Sequence, residues 1–335
     1  MAACRAVLRR SSKTFFAASL LLPRRVREPA SALYAFCRFA DDAADCGGGE
    51  AALADLRERL ALVYDGRPLP LPVDRALADV VARFEIPRVL PEALFEGFSW
   101  DAAGRRYEDI GELHGYAARV AGTVGAMMAV LMGERSADGV ARACDLGVAM
   151  QLSNIARDVG EDARAGRLYL PLSWLREVGI DPDGWMARPV FDEALGSVIA
   201  RLLGSADELY RRADAGIAML PWACRPGIHA ARHLYAEIGR EVERQGGNSV
   251  DSRAVVAPGR KAALLVRSLA ASVAEPRAEA APGATAETRF LVEAVAGGAR
   301  QVPESDGRLV WLIGLFDRLE RGDRFALSGG VEARK

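Results

Sequence analysis

The sequence predicts an all-α protein. Apolar residues recur with helical spacing over long stretches, for example in residues 51–64, 75–84 and 194–213. Strands would be indicated by alternating apolar and polar residues between turn dipeptides, and this pattern is absent, as is any repeat of fixed period. Half of the 335 residues are hydrophobic, which suffices for a large buried core.

Composition argues against several classes of protein. The formal net charge is −1, so no global field favours nucleic acid or an anionic membrane surface. The five cysteines form no C-x-x-C pair, which argues against a disulfide framework and predicts a cytoplasmic location. The longest uncharged apolar run, residues 120–133, is too short to span a bilayer.

Clusters of glycine, proline and polar residues separate the predicted helices at 47–49, 65–72, 179–184 and 245–249. Residues 273–287 are rich in alanine and proline and have no hydrophobic face, so this segment is predicted to be a linker. A further amphipathic helix is predicted over 308–324. We therefore expect a helical catalytic domain from 1 to 272 and a C-terminal extension, linker plus helix, from 273 to 335.

Three aspartates follow an apolar stretch in residues 32–45, ALYAFCRFADDAAD. On a helix at ~100° per residue, four polar side chains fall within roughly 60° of one face: Tyr34, Arg38, Asp41 and Asp45. Asp42 points elsewhere. Helix capping does not explain these acids, because they lie near the helix C-terminus, where the helix dipole disfavours negative charge.

A second acidic stripe lies in residues 144–171, CDLGVAMQLSNIARDVGEDARAGRLYLP. Four polar residues at i, i+3, i+7 and i+11 occupy roughly 80° of one helix: Gln151, Asn154, Asp158 and Asp162. The adjacent arc is apolar, which indicates that the stripe faces the interior or a cavity. A glycine such as Gly160 destabilises a helix by about 1 kcal/mol relative to alanine. The close approach of a ligand would explain why glycine occurs at this position.

Two interior pairs of carboxylates need compensating charge. At 4 Å and an effective dielectric constant of 20, each like-charge contact costs about 4 kcal/mol. Arg38 and Arg157 could offset part of this cost, and a buried network of aspartate and arginine is the structural alternative. A divalent cation would offset more, since Mg²⁺ typically takes one or two carboxylates plus substrate phosphates. The two stripes together favour a site for metal and diphosphate.

Four motifs in this order resemble the squalene/phytoene synthase family from about residue 8 to about 272: SSKTFFAASLLLP, LYAFCRFADDAAD, YAARVAGTVG and QLSNIARDVGEDARAGRLYLP. The last motif is most similar to that of bacterial phytoene synthases. The resemblance implies the isoprenoid synthase fold, a single helical domain whose aspartate motifs face each other across a central cavity.

The resemblance also implies the reaction. A prenyltransferase of the geranylgeranyl-diphosphate geranylgeranyltransferase type would join two geranylgeranyl diphosphates head to head (1′–1). The product would be phytoene, formed through a cyclopropylcarbinyl (prephytoene) diphosphate in carotenoid biosynthesis. Mg²⁺ or Mn²⁺ is the expected cofactor, and NADPH is not expected. Squalene or dehydrosqualene synthesis from farnesyl diphosphate is the alternative within the family. A chain-elongating enzyme, a terpene cyclase and a non-catalytic helical scaffold are the alternatives outside it.

Site residues carry over from the resemblance by position. The metal-binding residues would be Asp41, Asp45, Asn154, Asp158 and Asp162. The four aspartates among them would be catalytic, together with Tyr34 and Arg38. The residues that bind the diphosphates would be Ser12, Lys13, Thr14, Tyr116, Gln151, Asn154, Arg157, Tyr235 and Arg253.

The expected partners are two prenyl diphosphates and not nucleic acid. The apolar face of the helix at 308–324 must cover something. The helix could pack on the catalytic domain or dock on the membrane surface. In the second case Trp311 would lie at the level of the lipid headgroups. A water-insoluble product would suit peripheral contact with the inner face of the cell membrane and contact with later carotenoid enzymes.

Overall fold

The computed structural model describes residues 1–43, 49–273 and 283–297, and within these ranges the chain forms helices and no strands. The predicted all-α class is confirmed. The first six helices are α1 (Ala2–Ser11), α2 (Lys13–Ser19), α3 (Arg24–Ala43), α4 (Gly49–Tyr64), α5 (Pro72–Phe84) and α6 (Val89–Ala102). The next are α7 (Ile110–Ala117), α8 (Thr123–Met132), α9 (Ala137–Arg164), α10 (Leu172–Glu177) and α11 (Pro182–Ala187). The last are α12 (Glu193–Ile217), α13 (Arg225–Arg244), α14 (Pro258–Val273) and α15 (Arg289–Ala296).

Side-chain caps begin the two longest helices. The Ser136 hydroxyl accepts a hydrogen bond from the Gly139 N–H at 3.1 Å at the start of α9. The Asp192 carboxylate accepts from the Leu195 N–H at 2.7 Å at the start of α12. Each cap satisfies a backbone N–H that has no partner within its helix and contributes about 1 kcal/mol.

Several predicted breaks coincide with turns between helices. Gly66 ends α4, Gly179 separates α10 from α11, and Gly246 and Gly247 follow α13; all four have φ between 68° and 79°. Glycine adopts this left-handed conformation without the steric cost that other residues incur. The predicted break at 47–49 lies largely outside the described residues.

Helix α9 is the centre of the fold and packs against α8, α12, α13 and α15. The apolar arc predicted beside the second acidic stripe is buried: Cys144, Val148, Leu152, Ile155 and Val159 are each at most 4% exposed. Burying one such large aliphatic side chain contributes about 1.5–3 kcal/mol. This apolar face holds the acidic stripe in a fixed orientation.

Helices α7 and α8 are joined by a π-helical turn, Ala118–Gly122, into one continuous helix, Ile110–Met132. Its 23 residues are long and apolar enough to cross a membrane by length and composition. However, 67% of its apolar window is buried inside the protein. Core packing therefore accounts for its hydropathy.

Glycines allow α8 and α9 to approach closely. A Cβ on Gly125 would lie 2.1 Å from the Ala143 carbonyl oxygen.

At Gly160 a Cβ would lie 2.0 Å from the Val250 carbonyl oxygen, and the Gly160 N–H donates to the Ser249 carbonyl at 3.0 Å. The expectation that a ligand approaches Gly160 is therefore wrong, because the backbone of residues 249–250 occupies that space.

Residues 283–297 pack on the helical body. Leu291, Val292 and Val295 of α15 are buried, and α15 contacts α6, α8 and α9. Part of the segment predicted as linker and extension is thus folded against the main domain. The amphipathic helix predicted at 308–324 lies outside the described residues.

Replacing Gly160 by alanine should destabilise the protein, because the new methyl group would collide with the backbone of Val250. We expect a loss of about 1–3 kcal/mol, as for other overpacked sites. Gly204, exposed on α12 with nothing within 4 Å of its added Cβ, provides the matched control. Gly204→Ala should raise stability by about 0.5–1 kcal/mol, since glycine is costly within a helix. Urea unfolding measures both, and equal stability of the two variants would contradict the close contact.

Candidate functional site

A cavity of about 530 Å³ lies among α3, α6, α8, α9, α12 and α13. It follows α9 from Gly139 to Asp158, about 28 Å at 1.5 Å per residue. Its polar end is lined by Tyr34, Arg38, Asp41, Asp101, Gln151, Asn154, Arg157, Asp158 and Tyr235. The remaining wall is largely apolar and includes Val120, Val124, Met127, Met128, Leu146 and Met150. This division suits a ligand with a charged head and a long hydrocarbon tail.

The first acidic motif reaches the cavity from α3. Arg38 binds both neighbouring acids, Asp41 at 3.0 Å and Asp42 at 2.5 Å. Burial lowers the pKa of Arg38, but the two carboxylates outweigh this effect and raise it. Asp41 lines the cavity, whereas Asp42 is exposed and does not. Asp45 lies outside the described residues.

In the second acidic motif, two guanidinium groups bind the same carboxylate. Arg157 donates to Asp158 at 2.7 and 2.5 Å, and Arg253 donates to it at 2.8 and 3.2 Å. The Asp158 side chain is 17% exposed, so the two pairs are partly shielded from water. A cation that took Asp158 as its ligand would release both arginines to bind another anion.

Negative charge accumulates around Asp162. The pKa of this carboxyl is raised to about 7, first by burial and then by the charges of Asp158, Asp101 and Glu161, while Arg167 opposes the rise. Among the described residues no three His, Cys, Asp or Glu side chains form a preformed metal site. The oxygen donors nevertheless fit Mg²⁺, which commonly binds one or two carboxylates and takes further ligands from phosphate and water.

Asp101, at the end of α6, is a site residue that the sequence interpretation missed. Its two oxygens accept hydrogen bonds from the Tyr116 hydroxyl at 2.8 Å and the Tyr169 hydroxyl at 2.7 Å. The Tyr169 ring stacks on those of Tyr116 and Tyr107, and the rings of Tyr107 and Tyr116 contact each other at a tilt of 35°. Tyr116 therefore presents its hydroxyl to Asp101 at the polar end of the cavity.

A signal for Asp101 was present in the sequence. Leu94, Phe98 and Asp101 are spaced i, i+4 and i+7, which places the acid on the core face of its helix. All three line the cavity. Asp158 is marked by a related pattern, an acid in a polar stripe that borders an apolar helical face.

The N-terminal segment lies beside the polar end. Ser12 caps α2 by accepting from the Phe15 N–H at 3.2 Å, and Phe15 stacks on Tyr34 with ring centroids 5.5 Å apart. Burial raises the pKa of Tyr34 and of Tyr235, while a hydrogen bond with Ser12 lowers both. Ser12 thus connects α2 to two tyrosines of the cavity wall.

The structure brings most of the predicted residues to one place. On the cavity wall are Tyr34, Arg38, Asp41, Tyr116, Gln151, Asn154, Arg157, Asp158 and Tyr235. Asp162 and Arg253 lie next to Asp158 without lining the cavity. Lys13 is exposed, and Thr14, like Ser12, is outside the wall.

Comparisons with known proteins agree with this geometry. The sequence model of the squalene/phytoene synthase family matches residues 8–261. A phytoene synthase of Cereibacter sphaeroides is 50% identical over 96% of this chain and 94% of its own length. A phytoene synthase of Rhodobacter capsulatus is 51% identical over 88% of this chain and 90% of its own.

Two solved structures are also similar. A dehydrosqualene synthase in complex with ligand has a TM-score of 0.76 at 32% identity, covering 80% of this chain and 95% of that chain. The squalene synthase HpnC from Alicyclobacillus acidocaldarius has a TM-score of 0.68 at 27% identity, covering 73% and 94%.

The raised pKa of Asp162 predicts a pH-dependent effect of Asp162→Asn without divalent metal. The folded protein keeps a proton on Asp162 between its ordinary pKa of 3.8 and about 7, and the unfolded chain releases that proton. This group therefore lowers the free energy of unfolding as the pH rises through that window. At pH 8 the variant should be more stable than the parent by about 1–3 kcal/mol, a range reduced for partial solvent screening.

Urea unfolding in a chelator between pH 5 and pH 8 measures this difference, which should shrink towards pH 5. Asp183→Asn, at an exposed side chain, is the control and should change stability by no more than about 0.5 kcal/mol at any pH. A stability difference for Asp162→Asn that does not vary with pH would contradict the assignment.

Proposed function

The chain belongs to the squalene/phytoene synthase family, and on this premise we propose that its cavity joins two geranylgeranyl diphosphates head to head into phytoene. The protein is a prenyltransferase of carotenoid biosynthesis with the isoprenoid synthase fold. The observation that carries this function is the cavity, which combines an acidic and arginine-rich end with a long apolar part. Squalene or dehydrosqualene synthesis is less favoured, because the phytoene synthases share far more identity with this chain.

The polar end supplies the groups that a diphosphate needs. Arg38, Arg157 and Arg253 would donate charge-assisted hydrogen bonds to it, and Lys13 of α2 would add an exposed positive charge. Mg²⁺ would be held by Asp41, Asp45, Asn154, Asp158 and Asp162. When bound, it supplies Lewis-acid stabilisation of the departing diphosphate.

Departure of the first diphosphate leaves an allylic cation, which the double bond of the second substrate attacks. Loss of a proton closes the cyclopropane ring. Departure of the second diphosphate then leaves a cyclopropylcarbinyl cation, whose ring rearranges and opens to form the 1′–1 bond, and loss of another proton gives phytoene. Because two diphosphates and two protons leave, the reaction needs no hydride donor.

The chain's own side chains protect the cations. The apolar wall excludes water, which would otherwise quench them. The stacked rings of Phe15 and Tyr34 lie at the polar end, where each face can stabilise a passing cation by about 0.5–2 kcal/mol.

The product assay tests this function. With geranylgeranyl diphosphate and Mg²⁺ or Mn²⁺, the enzyme should release phytoene in the absence of any nicotinamide, as measured by mass spectrometry of the hydrocarbon. An absolute requirement for NADPH, or squalene from farnesyl diphosphate as the main product, would contradict the proposal.

Carboxylate variants provide the controls. Mutating a residue that only supports a metal ligand typically lowers activity by roughly 10–100-fold. Asp41→Asn and Asp158→Asn alter the ligands themselves and should lower turnover by more than this. Asp42→Asn alters the adjacent acid, which is exposed and does not line the cavity, and should keep most of the activity. Circular dichroism checks that all three variants retain the helical fold. Near-normal turnover by either cavity variant would remove that acid from the metal site.

We also propose that segment 308–324, predicted from the sequence to be an amphipathic helix, holds the enzyme at the membrane surface, where its hydrocarbon product is released. Truncation after Gly297 should keep activity on detergent-solubilised substrate and lower liposome association in a flotation assay. A cut near residue 275 is less suitable, because it would remove the buried residues of α15. Equal liposome binding by the truncated and full-length chains would contradict membrane docking, whereas loss of soluble folding would favour packing on the domain. Contact with later carotenoid enzymes remains a prediction.

A further inference from the structure

One turn of the helix Ile110–Met132 is wider than the rest. Residues Ala118–Gly122, hereafter the π-turn, follow α7 and lead into α8. At the end of the π-turn, the Thr123 N–H donates to the carbonyl of Ala118, five residues earlier, instead of to that of Arg119, four residues earlier. The π-turn therefore contains one residue more than an α-helical turn, and such turns occur frequently at functional sites.

The extra residue changes which side chains face the cavity. Tyr116 lines the cavity before the π-turn, and five residues of α8 line it afterwards: Val124, Gly125, Met127, Met128 and Met132. At about 100° per residue, the centre of these five directions would lie roughly 110° from Tyr116 in an uninterrupted α-helix. One extra residue turns α8 back by about 100°, which leaves that centre roughly 10° from Tyr116. The π-turn thus places the tyrosine and this part of the apolar wall on one face.

Glycines of two neighbouring helices make room for the π-turn. A Cβ on Gly97 of α6 would lie 2.6 Å from the Val120 side chain. A Cβ on Gly147 of α9 would lie 2.3 Å from the Ala121 carbonyl oxygen. Because a larger residue at either position would collide with the π-turn, this turn is part of the packing that forms the cavity wall.

The Arg119 carbonyl needs a new donor, because the Thr123 N–H that would bind it in an α-helix binds Ala118 instead. The Thr123 hydroxyl supplies this donor at 2.6 Å. Thr123 is completely buried and does not line the cavity. A polar group left unsatisfied inside a protein is costly, so this hydrogen bond stabilises the π-turn relative to a regular α-helix.

We infer that the Thr123 hydroxyl holds the π-turn and thereby aligns Tyr116 with the apolar wall, which makes Thr123 a positioning residue for the prenyl chain. This role rests on the proposed function and adds to it a residue that acts without lining the cavity. If the π-turn were lost, α8 would rotate by about 100° relative to α7, and its methionines would turn away from the face that carries Tyr116. The polar end would keep its charged groups, but the hydrocarbon would no longer be held in line with them.

The kinetic test uses the full-length enzyme. Thr123→Val removes the hydroxyl and keeps the branched shape, whereas Thr123→Ser keeps the hydroxyl. Because misplacing a substrate by about 1 Å can lower the rate about 100-fold, Thr123→Val should lower kcat/KM for geranylgeranyl diphosphate by at least about tenfold, and Thr123→Ser should stay within about threefold of the wild type. A value for Thr123→Val within about twofold of the wild type overturns the inference.

Ser272→Ala is the matched control. The buried Ser272 hydroxyl also donates to a carbonyl four residues earlier, that of Ser268 at 2.7 Å, but within α14 and away from the cavity. This variant should leave kcat/KM unchanged, and an equal loss of kcat/KM would overturn the inference. If Thr123→Val does not fold, Thr123→Ala removes the same hydroxyl and should give the same loss as expected for Thr123→Val.

Methionine-methyl NMR follows the alignment itself, which a general loss of stability would not change. Met128 and Met132 lie beyond the π-turn, Met150 lies on α9, and all three line the cavity. In the wild type, non-hydrolysable geranylgeranyl thiodiphosphate should shift all three methyl signals. In Thr123→Val the shifts of Met128 and Met132 should shrink while that of Met150 persists. Unchanged shifts at Met128 and Met132 would overturn the inference.

The wild-type product separates the two levels of the proposal. If the wild type does not convert geranylgeranyl diphosphate to phytoene, the proposed function is wrong. If it makes phytoene and Thr123→Val does so with unchanged kcat/KM, the function stands and the role of Thr123 is overturned.

Discussion

The rest of the structure depends on the concentration of carboxylates at one end of an apolar cavity. Asp41, Asp158 and Asp162 lie where water cannot fully solvate them, and mutual repulsion adds to the cost of burial. Arginines offset this cost by binding the carboxylates directly. Guanidinium groups also bind phosphate well. Under the proposed function, the side chains that neutralise the acids are therefore the ones that would bind a diphosphate once cations bind the carboxylates.

Helix α9 connects the two ends of the cavity. Near its C-terminus it carries Asn154 and Asp158 at the polar end, and near its N-terminus it carries Arg142. Since the rise per residue of a helix is constant, the distance between the charged end and the far end is set by the register of one element. The apolar face of the same helix is anchored in the core, so neither end can shift alone. One rigid element thus lines the cavity from its polar end into its apolar part.

Helical periodicity alone predicted which acids share a face. The projection separates Asp42 from Asp41, and the structure likewise places Asp41 on the cavity wall and Asp42 outside it. The same argument misread Gly160. A glycine within a periodic helix indicates that a neighbouring group lies close to that position. The pattern does not reveal whether this group is a ligand or, as at Gly160, the backbone of residues 249–250.

The sequence by itself determined the helical class, the orientation of each amphipathic face and the family to which its motifs belong. Tertiary structure alone decided which distant groups meet: Arg253 binds Asp158 across 95 residues, Asp101 meets two tyrosines from other elements, and Gly283 holds Arg142. The physical reason is that a hydrophobic pattern specifies which face of a helix is buried, through the free energy of removing apolar surface from water. It does not specify the partner, which depends on how all the helices pack together.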